Sequence, residues 1–287
     1  MQNNIWTEES TTWRERFTNR IVSLGNSISG RVVFAGELAA FSVATFYWLL
    51  ARPPKKNTLV DSCYKVGVQS LPVIMLTGVF IGMVLAVQSH PQFKAIGLES
   101  RLGAAINLSL VKELGPVLAA TMLAGRVGSS IAAELGTMRV TEQIDALASM
   151  GPNPVHYLVV PRFIACLVMI PGLTIMADAM GVLGGAFFSI KLLGVDWGAY
   201  WEYSRNTVGQ YDIFAGMFKS IFFGGAIALV SCYEGFHCEA GAEGVGKAST
   251  KSFVVSFVLI LILDLLLGIF LEQLQSVWFG GTSKAIV

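Results

Sequence analysis

Charge is scarce in this chain. Asp, Glu, Lys and Arg make up only 14% of its 287 residues, against 54% hydrophobic, where soluble domains average about 25% charged residues. With a mean hydropathy of +0.62, that shortage excludes an ordinary soluble domain and indicates an integral membrane protein. Cysteine is scarce as well: Cys63 and Cys166 stand alone, Cys232 and Cys238 are six apart, and no CxxC occurs. Neither a disulfide framework nor a zinc site is therefore expected. The cluster Cys232, His237 and Cys238 lacks a second ligand pair at zinc spacing, and His90 and His156 share no ligand spacing with it. No GxxxxGK[ST] is present, so ATP hydrolysis through a P-loop in this chain is excluded, although RVGSS at 126–130 superficially resembles a phosphate loop. HExxH, a nucleophile elbow and a paired-carboxylate motif are also missing, which leaves enzymatic chemistry, a metal and a cofactor without a foothold. The polar start MQNNIWTEESTTWRERF shows no apolar core followed by an A-x-A site, so no cleavable signal peptide is expected. Internal repeats, low-complexity tracts and a soluble domain are not evident.

What the chain does have is apolar length. Residues 66–93 carry no charge, 102–125 only Lys112 and Glu113, 163–190 only Asp178, 213–233 only Lys219, and 252–271 only Asp264. Each run meets the roughly 20 residues needed to cross hydrocarbon as a helix. The predicted fold is thus an all-α integral membrane protein, with N-terminal amphipathic or interfacial helices followed by five transmembrane helices. The predicted N-terminal interfacial region covers residues 1–58 and the transmembrane domain 59–287, with spans near 66–90, 102–126, 160–190, 213–234 and 252–275.

Residues 12–28 read as a helix lying on a membrane surface. Trp13, Phe17, Ile21, Leu24 and Ile28 follow helical spacing, and Arg14, Arg16 and Arg20 gather opposite. The same pattern would serve a helix packed on a soluble partner. Residues 32–51 are long enough to span and carry only Glu37, with Tyr47 and Trp48 suited to the headgroup layer, but both flanks are basic. The positive-inside rule favours an embedded, non-crossing segment there; six spans result if it does cross.

With five crossings and a cytoplasmic N-terminus, the cytoplasmic segments hold Arg14, Arg16, Arg20, Arg31, Arg52, Lys55, Lys56, Lys65, Arg126, Arg139, Arg162, Lys247 and Lys251. The other side holds Lys94, Arg101, Lys191, Arg205 and Lys284, so the bias of thirteen to five supports this orientation.

The stretch 114–143 has small residues at every fourth position: Ala120, Ala124, Gly128, Ala132 and Gly136, beside a second row of Thr121, Gly125, Ser129, Ala133 and Thr137. On a helix the rows lie side by side and form a face for close packing, between helices or between two copies of the chain. Just before it stand Lys112 and Glu113 inside an apolar run. A charge there costs several kcal/mol unless paired or facing water. Adjacent helical residues point about 100° apart, so each needs an outside partner. Pro116 denies a hydrogen bond to the Lys112 carbonyl and is expected to kink the helix. The pair reads either as a polar station on a substrate path or as a structural lock between helices. After the small-residue face, 137–150 forms a predicted polar helix ending at Gly151 and Pro152. It is a natural docking element for a soluble motor, or else a solvated connector. Asp178, Lys219 and Asp264 are lone charges that are either paired internally or line a cavity.

Taken together, these residues resemble a known signature. Lys112-Glu113-Leu114-Gly115-Pro116-Val117, Ala124-Gly125-Arg126-Val127-Gly128-Ser129 and Ala133-Glu134-Leu135-Gly136-Thr137-Met138-Arg139-Val140-Thr141-Glu142-Gln143 are similar to the MlaE/YrbE permeases. Those belong to the MCE-associated ABC transporters that move phospholipids or other lipids across cell envelopes. Gly78 to Val84 and Pro161-Arg162-Phe163 extend the resemblance over roughly residues 60–280. It implies a homodimeric, multi-pass permease of the inner (cytoplasmic) membrane, with an N-terminal interfacial helix and five spans per chain. Its implied partners are cytoplasmic ABC ATPase subunits docked near 137–150, an MCE-domain lipid-binding protein on the outer side, and phospholipid; nucleic acid is not among them. Members typically carry Arg where this chain has Lys112, which keeps the charge without the bidentate fork.

On this reading Lys112 and Glu113 lie on the lipid path. Ala120, Ala124, Gly125, Gly128 and Ser129 form the helix-packing face. Arg139, Glu142, Gln143 and Asp145 relay ATP binding from the partner. Two other classes compete: an ion-coupled secondary carrier acting alone through Asp178, Lys219 and Asp264, and a membrane-embedded lipid enzyme. The first fits poorly with five spans and no repeat; the second lacks a catalytic constellation.

Overall fold

In the computed structural model, residues 13–51 and 53–278 are described, the side chains of 13–28, 31 and 278 excepted. All regular structure among them is helical. The chain divides into two compact units, residues 1–44 and 45–287.

Within the first unit the described residues belong to α1 (Trp13–Ala51), which continues to residue 51. The sequence predicts a surface helix and a separate apolar segment; the structure instead has one helix through both. Nothing at the junction breaks it: no proline falls there, and Gly30, with open space around it, costs a helix only about 1 kcal/mol relative to alanine. The proposed apolar face of Trp13, Phe17, Ile21, Leu24 and Ile28 lies outside the described side chains. Residues 32–51 are long and apolar enough to cross a membrane.

The second unit contains α2 (Lys56–Val66), α3 (Leu71–Ala95), α4 (Leu102–Ser109), α5 (Gly115–Leu123), α6 (Ser129–Val140), α7 (Gln143–Ser149), α8 (Val160–Lys191), α9 (Trp197–Thr207), α10 (Gln210–Phe236) and α11 (Gly241–Trp278). Five further helical runs are long and apolar enough to cross: Lys56–Ala95, Glu99–Val140, Val155–Lys191, Gln210–Phe236 and Gly241–Val277. The protein is an all-α integral membrane protein. α8 and α10 are its most buried spans and α11 turns most of its apolar surface outward, the arrangement expected when hydrocarbon rather than water is the solvent.

Glycine sets how closely these helices approach. A Cβ on Gly82 of α3 would stand 1.8 Å from the Gly181 carbonyl oxygen of α8, and one on Gly184 would stand 2.3 Å from that of Val79. α10 uses the same device: a Cβ on Gly216 would meet the Val111 carbonyl at 2.5 Å, and one on Gly224 that of Cys166 at 2.8 Å. With apolar lipid as the alternative partner, such backbone contact is what holds membrane helices together. The end of α1 that belongs to this unit packs on α8 and the turn before it, through Phe46 on Phe163 (ring centroids 5.4 Å apart) and Trp48 on His156 (5.7 Å).

The segment after α8, left as a connection by the hydropathy pattern, folds back as α9. Asp196 caps it by accepting from the Ala199 backbone N–H at 2.8 Å. Tyr200 is fully buried against α4, where Asn107 donates to Ser204 Oγ at 2.9 Å and Tyr200 donates to Asn107 Oδ1 at 3.4 Å. Burial pushes the Tyr200 phenol up to about 12.

Candidate functional site

The run from α4 to α6 is one helix with two wide turns. The first, Leu110–Leu114, contains Lys112 and Glu113, and its closing bond runs from the Gly115 N–H to the Leu110 carbonyl, five residues back. Pro116 accounts for it: with no N–H to give the Lys112 carbonyl, the chain re-registers by one residue. The kink predicted at Pro116 takes the form of this π turn. The second wide turn, Ala124–Gly128, lies in the small-residue stretch.

The first turn faces α10 and α11. Lys219, only 1% exposed, bonds the Glu113 carboxylate on one side and lies 3.0 Å from Asp264 Oδ1 on the other. Glu113 is 44% and Asp264 24% exposed, so the buried ammonium is flanked by two carboxylates that still reach the surface. Glu113 and two residues that read as lone charges on other spans therefore form one cluster. Lys112 stands beside it with no ion-pair partner among the described residues.

Asp178 of α8 is not part of this cluster. Its carboxylate lies against the wide turn, where a Cβ on Gly115 would stand 1.7 Å from Oδ1, and that oxygen is buried without a hydrogen bond among the described residues. Next to it is a cavity of about 410 Å³ walled by Val111, Ile175, Val182, Ile213 and Met217, with Asp178 its one ionisable lining residue. The arrangement is chemically two-sided: a charged cluster on one helical turn and an apolar recess, large enough for part of an acyl chain, beside the same turn.

The small-residue face packs inside the chain. Ala120 and Ala124 are fully buried. Gly125 lies where a Cβ would be 3.5 Å from Phe253, and Gly128 where it would be 2.9 Å from Ser231 Oγ. Ser129 and Ser249 exchange hydrogen bonds, each hydroxyl donating to the other's carbonyl at 3.3 and 3.2 Å. Ser252 donates to Ser231 at 2.9 Å.

The helix predicted for 137–150 is divided. α6 ends at Val140, and α7 begins at Gln143. Between them Glu142 takes a left-handed conformation, φ 59°, and its N–H bonds the Arg139 carbonyl at 3.1 Å. Arg139 reaches across the turn to Asp145 at 2.5 Å. Glu142 and Gln143 are exposed, so all four predicted coupling residues sit on one solvent-facing corner. Gly151, φ 103°, follows α7 in the left-handed position expected of a helix stop.

Two features escaped sequence reasoning. The α3–α8 seam was signalled by Gly78-x-x-x-Gly82 and Gly181-x-x-x-Gly185, both of the GxxxG form used by packed membrane helices. The pairing of Glu113 with Lys219, 106 residues apart, had no local signal.

Residues 59–270 match the family described as Permease MlaE. A probable ABC transporter permease protein of Rickettsia felis is 40% identical over 251 residues, covering 86% of this chain and 97% of the relative. The intermembrane phospholipid transport system permease protein MlaE of Haemophilus influenzae is 36% identical over 253 residues, 87% of this chain and 96% of its own length. Protein TRIGALACTOSYLDIACYLGLYCEROL 1, chloroplastic, of Arabidopsis thaliana is 37% identical over 218 residues, 76% of this chain and 62% of its own length.

Proposed function

The chain belongs to the MlaE permease family, and on that premise we propose that it moves phospholipids or related lipids between membranes of the cell envelope. It is a multi-pass membrane protein and an ABC transporter permease, a transport subunit rather than an enzyme. In the proposed assembly two copies enclose the lipid, and ATP is hydrolysed by separate cytoplasmic ATPase subunits docked on the exposed corner of Arg139, Glu142, Gln143 and Asp145. An MCE-domain protein on the outer side continues the lipid path. The membrane is the inner (cytoplasmic) membrane, with the N-terminus and the basic loop residues on the cytoplasmic side, and residues 1–58 form an interfacial region ahead of the permease domain.

One observation carries the lipid reading: Glu113 is held by Lys219, while Lys112 on the same turn has no carboxylate bound to it among the described residues. A lipid phosphate is a fitting counter-charge for that ammonium, and the apolar cavity beside Asp178 suits part of the attached chain. Family membership also sets aside the ion-coupled carrier, for which Lys219 and Asp264 are poor candidates, because they are paired with each other.

The test is transfer of a fluorescent phospholipid between vesicles by the chain reconstituted with its co-purifying ATPase. ATP-dependent transfer that falls about ten-fold in Lys112→Gln is the expected result, the loss of one charge-assisted contact being worth roughly 1.5–3 kcal/mol. Transfer that proceeds without the ATPase and follows an ion gradient would instead restore the carrier reading.

A further inference from the structure

We propose a second ligand site, for a phosphate ester, in a polar cavity at the far end of the α4–α6 run. The cavity measures about 830 Å³ and is lined by Asp61, Lys65, Arg126, Glu134 and Arg162, with buried Val127 and Ile131 in its wall. Arg126 lies 14 residues beyond Lys112 on the same helical run, about 20 Å away at 1.5 Å per residue, so this is not the cluster at Glu113. Lys65, Arg126 and Arg162 all belong to the basic end that the charge bias assigns to the cytoplasm.

The internal pairing of this cavity leaves one cation over. Glu134 is bonded on one oxygen by Lys65 at 2.9 Å and on the other by Arg162 at 3.2 Å. Arg162 is further fixed by donating to the Leu158 carbonyl at 2.7 Å and is only 13% exposed. Arg126 has no carboxylate within ion-pair distance among the described residues. Its one hydrogen bond there, to Ser70 Oγ at 2.5 Å, orients the guanidinium without neutralising it. A half-buried guanidinium, held by a neutral hydroxyl and flanked by Lys65 and Arg162, is a fork matched to two oxygens of a phosphate. Asp61 and Glu134 offset two of the three positive charges, so a single negative group completes the balance. A phosphodiester supplies one negative charge, and the apolar wall of Val127 and Ile131 suits a glycerol backbone and the start of an acyl chain. The chemistry is shared by a phospholipid headgroup of the adjoining leaflet and by a soluble phosphate ester.

The experiment is calorimetric titration of the full chain in lipid-free detergent, in a Lys112→Gln background so that the membrane-centre turn contributes equally to every protein. The titrants are dihexanoyl-phosphatidylglycerol, glycerol 3-phosphate and dihexanoylglycerol. Binding of the phosphatidyl compound, weakened about ten-fold or more by Arg126→Gln, supports the site. Glycerol 3-phosphate binding equally well identifies a soluble ester as the occupant, and much weaker binding identifies the lipid. Dihexanoylglycerol binding as tightly as its phosphatidyl counterpart overturns the proposal, and so does an affinity within two-fold of the parent in a correctly folded Arg126→Gln. If that variant fails to elute as the native protein does, Arg126→Lys replaces it, with a several-fold loss expected from removal of the fork and an unchanged affinity again overturning the site. Neither ATP nor lipid transfer is read here, so failure of this site and failure of the transport reading show in different assays.

Discussion

Lys219 joins three helices by their charges. With its side chain 1% exposed, its ammonium has little water to fall back on, and the carboxylates of Glu113 and Asp264 replace it. Removing the lysine costs more than the set contributes, because two like-charged and only partly exposed carboxylates are left without their shared counter-charge. Lys219→Met is therefore expected to destabilise the protein by about 3–5 kcal/mol, read as a lower melting temperature in detergent. Adding Glu113→Gln and Asp264→Asn to it should recover much of the loss. A Lys219→Met protein that melts with the parent would refute the cluster. Gly82 poses a steric problem instead: its Cβ position is 1.8 Å from a backbone oxygen, which cannot rotate away as a side chain can. Gly82→Ala should cost about 1–3 kcal/mol or more. Gly172→Ala on α8, with open space around it, should be neutral or slightly stabilising. Equal melting temperatures for the two would show that the α3–α8 seam is looser than described.

At the scale of elements, two irregularities matter. The π turn at Leu110–Leu114 turns Glu113 toward α10, and the left-handed Glu142 separates α7 from α6. The second gives an exposed seven-residue helix a fixed angle without burying it, which suits a surface that a soluble partner grips. Glu142→Lys is expected to abolish lipid-stimulated ATPase in the reconstituted complex while leaving the melting temperature of the isolated chain within a degree or two. Normal stimulation in that variant would remove the corner from the coupling path. The α4–α9 junction makes a pH prediction. The Tyr200 phenol is pushed up to about 12 by burial, above the ordinary value of about 10. Between those values the unfolded chain has lost the proton and the folded chain still holds it, so stability falls as pH rises through that window. Tyr200→Phe removes this contribution, and its melting temperature should decline less steeply from pH 10 to 12. An identical decline would mean the phenol is not sealed off.

At the scale of the whole molecule, the fold supplies a membrane body with a charged cluster inside and an exposed corner in the segment after α6, and no ATP-binding motif. In the proposed assembly its energy comes from a partner ATPase. Purification in mild detergent is expected to bring down a P-loop ATPase, an MCE-domain protein and phospholipid, identified by mass spectrometry. Recovery of the chain alone, even after gentler extraction, would contradict the proposed assembly.

Composition and hydropathy determined the class of protein, and the apolar runs marked five of the helices that are long and apolar enough to cross a membrane. These are local properties: whether a 20-residue segment prefers hydrocarbon depends on its own side chains. The signature around Lys112 to Gln143 likewise made the family legible, because it is a contiguous string. Where the sequence reading divided α1 in two, and where it joined α7 to α6, the deciding terms were small: a glycine tolerated inside a helix, and one residue's left-handed backbone. Only the tertiary structure decided that Lys219 pairs with Glu113 and Asp264 while Asp178 lies apart, or that Arg126 faces a cavity without an ion pair to either of its carboxylates. Those outcomes depend on the rotation and depth of one helix against another. They are set by where glycines let backbones touch, and no single helix carries that information.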